Sequence, residues 1–150
     1  MHKSSTRVFL CALFASSLFA AVASPALAGH GLAASWLVTY YLDPNSQQGS
    51  TVCVNFNETS DKQGVITGTW NSPSISGWSG QWVAKGQHFQ WYGAYNVSGQ
   101  IFATADAGDF ITKTAAAETS ATVFRITPSG PVTVNTGTAV MTAVKNCNGR

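Results

Sequence analysis

From residue 35 onward, apolar and polar side chains alternate in short runs, and Gly, Asn, Asp and Pro separate one run from the next. Val52, Val54 and Phe56 share one face of an extended segment 50–57, with Thr51, Cys53 and Asn55 on the other. A period of two is the mark of a half-buried strand. The same period puts Ile66, Gly68 and Trp70 together within 65–70, and Trp78, Gly80, Trp82 and Ala84 together within 78–84. After a tight turn at Lys85-Gly86, Phe89, Trp91, Gly93 and Tyr95 line up against His88, Gln90 and Tyr92. These make the second to fifth strands. The first is 35–42, stopped by Asp43-Pro44-Asn45, a turn sequence with Pro at its favoured second position.

The C-terminal half is less regular. A weaker sixth strand is expected over 100–105, following a turn at 96–99. Residues 106–117 read as irregular, with the Ala-rich 114–118 able to form a helical turn. A seventh strand spans 119–127, and 128–131 is a turn carrying Pro128 and Pro131. The eighth is placed at 138–145, at the end of a run 132–144 that fits either one long strand or two short ones. No run of ten residues in this region has a 3.6-residue apolar period. Short connections make successive strands antiparallel neighbours. Eight of them in about 120 residues predict an all-β domain. An up-and-down barrel is the favoured closure because it leaves no free edge, and a two-sheet sandwich is the alternative.

The N-terminus changes what is expected of the rest. His2, Lys3 and Arg7 precede an apolar run from Val8, and Ala26-Leu27-Ala28 has the small-apolar-small form of a secretory cleavage site. Residues 1–28 are therefore expected to be a signal peptide and 29–150 the barrel domain, secreted or periplasmic. Cys11 lies within the leader. The remaining domain has six basic and six acidic residues, so its net charge is near zero. It lacks the basic cluster that a nucleic-acid partner requires, and no membrane partner is expected after cleavage. Cys53 and Cys147 remain, and in an oxidising compartment an even pair reads as one disulfide. Closing a loop of roughly 95 residues is worth about 4.7 kcal/mol in the chain-entropy treatment. Free thiols or an intermolecular link are the competing states.

Catalytic constellations are sparse. His30 and His88 are the two histidines beyond residue 28, too few with bridged cysteines for a three- or four-ligand metal site. His88 has no nucleophile-elbow pattern near it. Asp106 and Asp109 are a close carboxyl pair, and their place in an irregular segment reads as a solvated loop. The chain is expected to be non-enzymatic, with no cofactor and no metal. The informative residues are aromatic. Trp36, Trp70, Trp78, Trp82 and Trp91, with Tyr40, Tyr41, Tyr92 and Tyr95, all fall between residues 36 and 95. A Gly on the same strand face as a Trp, as at Gly80 and Gly93, leaves room for a neighbouring ring or a ligand. Core filling and an aromatic-lined pocket both fit this set.

Four segments in order carry a family likeness. Gly49-Ser50-Thr51 is followed by Gly64-Val65-Ile66-Thr67-Gly68-Thr69-Trp70, then by Gly77-Trp78 with Trp82, then by Trp91-x-Gly93-x-Tyr95. This order resembles the avidin and streptavidin family of secreted, biotin-binding eight-stranded barrels over residues 49–95. The resemblance implies a pocket with Ser50 and Ser72 as polar contacts and Trp70, Trp82 and Trp91 as walls, with Trp70 standing where the family has a tyrosine. Gln87 and Phe89 occupy the place of the family's Ser-x-Thr pair, and the loop between Trp70 and Trp78 is shorter than in familiar members.

The leading expectation is thus a barrel holding a small organic ligand, with biotin as first candidate. Its rival is a carbohydrate- or protein-binding module, or an inhibitor-like protein, that uses loops or a row of exposed rings such as Trp78 and Trp91. Strand faces rich in Ala, Val and Thr near the C-terminus suit either a core or a homo-oligomer contact. Asn57-Glu58-Thr59 and Asn96-Val97-Ser98 are glycosylation sequons where the host provides the enzyme.

Overall fold

A computed structural model of the chain describes residues 34–42 and 49–147. The expected leader 1–28, His30 and the turn at Asp43-Pro44-Asn45 lie outside the described residues. Eight antiparallel strands follow one another up and down: β1 (Ser35–Tyr41), β2 (Ser50–Lys62), β3 (Val65–Asn71), β4 (Ser79–Lys85), β5 (His88–Val97), β6 (Gln100–Thr112), β7 (Ala115–Thr127) and β8 (Gly130–Val144). Each pairs with the next, and β8 pairs back onto β1 from Ser35↔Val144 to Tyr41↔Thr138, so the sheet is one closed barrel. The described residues contain no helix.

The inner face follows the period of two through β1, β3, β4 and β5, where Trp36, Val38, Ile66, Trp70, Trp82, Ala84, Phe89 and Trp91 are buried. The rings stack in tiers. Trp36 and Phe89 meet Phe110 near one end. Phe56, Trp70, Trp82 and Trp91 form the middle, with Trp70 and Trp91 edge to face at 4.6 Å. Trp78, with Tyr40 and Tyr95, forms the tier toward the other end. Opposite these large groups several inward positions of β7 and β8 are small, at Ala116, Ala121 and Ala139, alongside the larger Glu118 and Met141. Large rings on one wall meet mostly small side chains on the other, as close packing of an interior requires.

Two glycines make the ring stack possible. A Cβ at Gly68 would lie 2.3 Å from the Trp82 Nε1, and one at Gly93 would lie 2.3 Å from the Trp70 Cζ2. The space beside each glycine is filled by a neighbouring ring.

Several boundaries differ from the expectation. β2 runs on to Lys62 through an irregularity between Glu58 and Ser60. Residues 106–112 are not irregular but continue β6, and Ala115–Glu118 is not a helical turn but the start of β7. The register shifts at Ala107/Gly108 and at Glu118/Ala121 both mark one extra residue in β7 between Glu118 and Ala121. It moves the later side chains of β7 to the other phase of the pleat, while β6 keeps its alternation through Thr104, Asp106, Gly108 and Phe110. β8 begins at Gly130 and is a single long strand.

The Cys53–Cys147 disulfide is formed. Cys53 points away from the barrel interior, because its neighbours Val52 and Val54 point in, and the chain after β8 crosses outside β1 to reach it. The bridge fastens the end of β8 to β2, across the strand that both of them flank.

Candidate functional site

The barrel is open at the end where β1 finishes and β2 begins. There Tyr40, Leu42, Ser50, Val52, Ile75, Trp78, Tyr95, Thr104, Asp106 and Val123 line a chamber of about 130 Å³. β1 delivers Tyr40 and β5 delivers Tyr95, each in the inward phase of its strand. Trp78 enters from the β3–β4 loop, 6.3 Å from the Tyr40 ring and 5.9 Å from the Tyr95 ring. Its indole N–H donates to Thr104 Oγ1 at 3.3 Å. Tyr95 is backed by Phe102, stacked at 5.3 Å.

The floor of this chamber is acidic. Asp106 is only 5 % exposed and Glu118, on the adjacent strand, 2 %. Trp91 sits opposite Asp106 in the β5–β6 ladder, and its indole N–H donates to Glu118 Oε1 at 2.8 Å. Among the described residues, Tyr40 OH, Asp106 Oδ2 and Glu118 Oε2 are buried without a hydrogen-bond partner. Burial pushes the Asp106 carboxyl up to about 8, against a backbone hydrogen bond from Thr122 that lowers it. Burial and then the charge of Asp106 push Glu118 well above the usual carboxyl range, and the Trp91 hydrogen bond opposes this. The Tyr40 hydroxyl is raised for the same reasons, first burial, then both carboxyls and Tyr95. All the described Lys and Arg side chains are exposed, so the interior offers these acids no cation. Buried acids left unpartnered are costly, and such groups gather where a protein binds or reacts.

Each residue singled out in the sequence has a definite place. Ser50 lies on the chamber rim. Ser72 is buried and committed to the backbone: its hydroxyl donates to the Cys53 carbonyl at 2.8 Å and accepts the Ser74 N–H, while the Cys53 N–H donates to Ser74 Oγ at 2.9 Å. These bonds satisfy the part of β2 that extends beyond β3, which pairs only from Asn55 onward. Trp70, Trp82 and Trp91 point inward but stand one tier below the chamber. Trp70 Nε1 donates to the carbonyls of Gln81 and Tyr92, and Trp82 Nε1 to those of Asn57 and Thr69. Trp78 and Trp91 are buried and make no external row; among the described Phe, Tyr and Trp residues the exposed one is Tyr92.

Asp106 and Asp109 are not a pair. Three residues apart on a strand, they point to opposite faces, and Asp109 contacts His88 on the outer surface. Asp106 was expected in a solvated loop and is instead an interior strand residue, because β6 continues through it. Its partner Glu118 was not foreseen. The available signal was the run Thr104, Asp106, Gly108, Phe110, an acid in phase with a core aromatic.

Larger grooves, of about 440 Å³ beside the disulfide and about 540 Å³ over the outer faces of β4–β6, are open to solvent. Neither contains a buried unpartnered polar atom. No group of three or more potential metal ligands occurs among the described residues. No protein-family model matches the chain, and no curated protein matches it in sequence.

Proposed function

We propose that the protein is a secreted, non-enzymatic barrel that holds one small organic ligand in the chamber bounded by Tyr40, Trp78, Tyr95, Thr104 and Asp106. The observation that carries this reading is the coincidence of an aromatic-walled opening with buried oxygens, on Tyr40 and Asp106, that lack partners. A ligand bearing N–H or O–H donors would supply those partners, and its carbon skeleton would rest on the rings. The disulfide is in keeping with an oxidising compartment.

The chamber bounds the ligand's size. At about 130 Å³ it is below the roughly 300–1,000 Å³ of pockets for drug-sized molecules. It is close to the ~150 Å³ that accommodates a single benzene ring. The ligand, or the part of it that enters, is one ring in size. Biotin remains the first named candidate through the avidin-like order of residues 49–95. Of the contacts implied by that likeness, Ser50 is free to meet it at the rim, while Ser72 is engaged by the backbone.

Isothermal titration with biotin, alongside a ligand-observed NMR screen of single-ring polar compounds, tests the reading. The control is Val123→Phe, which fills the chamber from β7. Compounds that bind the natural chain and not Val123→Phe support the site. No heat with biotin at tens of micromolar removes biotin, and a screen in which nothing distinguishes the two proteins removes the chamber as a binding site.

A further inference from the structure

We propose that the chamber is selective for a small protonated amine, whose ammonium N–H groups meet Asp106 and the Tyr40 hydroxyl while its carbon ring lies against Trp78 and Tyr95. This rests on the small-ligand reading and adds the chemical class. Three observations converge on it.

The first is the supply of acceptors. Tyr40 is 8 % exposed and Asp106 5 %, both line the chamber, and each has an oxygen without a partner. Thr104 and Ser50 add hydroxyls to the same walls. The second is the enclosure. Tyr40, Trp78 and Tyr95 surround the opening with aromatic faces at centroid spacings near 6 Å, and π-faces attract a cation within about 6 Å. The third is charge. The groups facing Asp106 are Glu118 from β7, Tyr40 from β1, and Trp91 and Tyr95 from β5, none of them basic. A neutral ligand would leave both carboxyls protonated and uncharged, with no charge for the ring faces and the acids to recognise. An ammonium supplies that charge along with the hydrogen bonds.

The proton balance follows. Without ligand the Asp106 carboxyl, held up to about 8 by burial, is protonated at neutral pH. When the ammonium enters, the carboxyl releases that proton to solvent and becomes the counter-ion. One cation enters and one proton leaves. Glu118, behind Asp106 and held by Trp91, keeps its proton. Linkage then requires the apparent affinity to rise about tenfold per pH unit below about pH 8 and to level above it.

Three five-membered rings of similar size separate the possibilities by isothermal titration: pyrrolidinium, 2-imidazolidinone as a neutral N–H donor, and cyclopentanol as a neutral hydroxyl. The expected result is pyrrolidinium binding at least about tenfold tighter than either neutral ring at pH 8, with roughly half a proton released per ligand at that pH and roughly one at about pH 6.5. Asp106→Asn, which keeps the side-chain shape, should weaken pyrrolidinium at least about tenfold and flatten the pH profile. The profile of the unsubstituted protein stands as a readout independent of any variant. Equal or tighter binding of 2-imidazolidinone or cyclopentanol overturns the amine assignment and leaves the small-ligand reading intact. Unchanged pyrrolidinium affinity in a folded Asp106→Asn overturns the role of Asp106. Binding of none of the three overturns the amine assignment, and the small-ligand reading then stands or falls on the single-ring screen against Val123→Phe.

Discussion

The buried acids make the protein's stability depend on pH in an unusual direction. Asp106 titrates near 3.8 in an unfolded chain and is pushed up to about 8 in the barrel. Between those values the folded state keeps a proton that the unfolded state has lost, so unfolding releases a proton and stability falls as pH rises. The contribution is complete below about pH 4 and gone above about pH 8. A gap of about four units at about 1.4 kcal/mol each is on the order of 5 kcal/mol from Asp106. Glu118 acts in the same direction. Since small domains have about 5–15 kcal/mol in total, this is a large share. Urea unfolding followed by tryptophan fluorescence at about pH 5, 6.5 and 8 measures it. The chain should lose several kcal/mol across that interval, Asp106→Asn less, and Asp106→Asn with Glu118→Gln very little. A profile that is level or rising from pH 5 to 8, or an equal slope in the double variant, refutes the reasoning.

Three further outcomes follow from the packing. Gly93→Ala puts a methyl 2.3 Å from both the Trp70 ring and the Ser79 carbonyl oxygen; overpacking of this kind costs about 1–3 kcal/mol or more, read as a lower urea midpoint at unchanged slope. Replacing Cys53 and Cys147 by Ser should cost about 2–5 kcal/mol and release the end of β8 first, seen as faster amide exchange at Val140 and Thr142 than at Trp82. All five tryptophans are buried, so acrylamide should quench the native fluorescence only weakly; strong quenching would contradict the inward placement of the rings.

How far the sequence foretold this depends on where the pleat stays regular. β3, β4 and β5 alternate without interruption, and their inward residues, Trp70, Trp82, Trp91 and the intervening glycines, could be read from spacing alone. β2, β6 and β7 carry bulges at Glu58/Ser60, Phe110/Thr112 and Glu118/Ala121. Each bulge adds a residue and reverses the phase, so a strict period of two loses the strand at that point. The alanines of β7 confused the reading further: alone they suit a helix, and only the rings across the barrel explain why small inward residues are needed. The aromatic set was legible, but its division into a filled middle and an open tier at Trp78 was not, since spacing gives direction and not depth. Asp106 and Glu118 escaped because a charged residue is normally exposed, and their burial arises from pairing among β5, β6 and β7.

A ligand held in the proposed chamber enters above Trp78 and leaves the rings beneath it packed. The five indole N–H signals in a nitrogen-15 correlation spectrum report this directly, because Trp78 donates to a side chain of the chamber and Trp70 and Trp82 donate to strand carbonyls. During titration with a bound single-ring compound, the Trp78 signal should move most, Trp91 should follow through Glu118, and Trp70 and Trp82 should hold nearly still. Large shifts at Trp70 and Trp82 with none at Trp78 would place the ligand elsewhere and contradict the account.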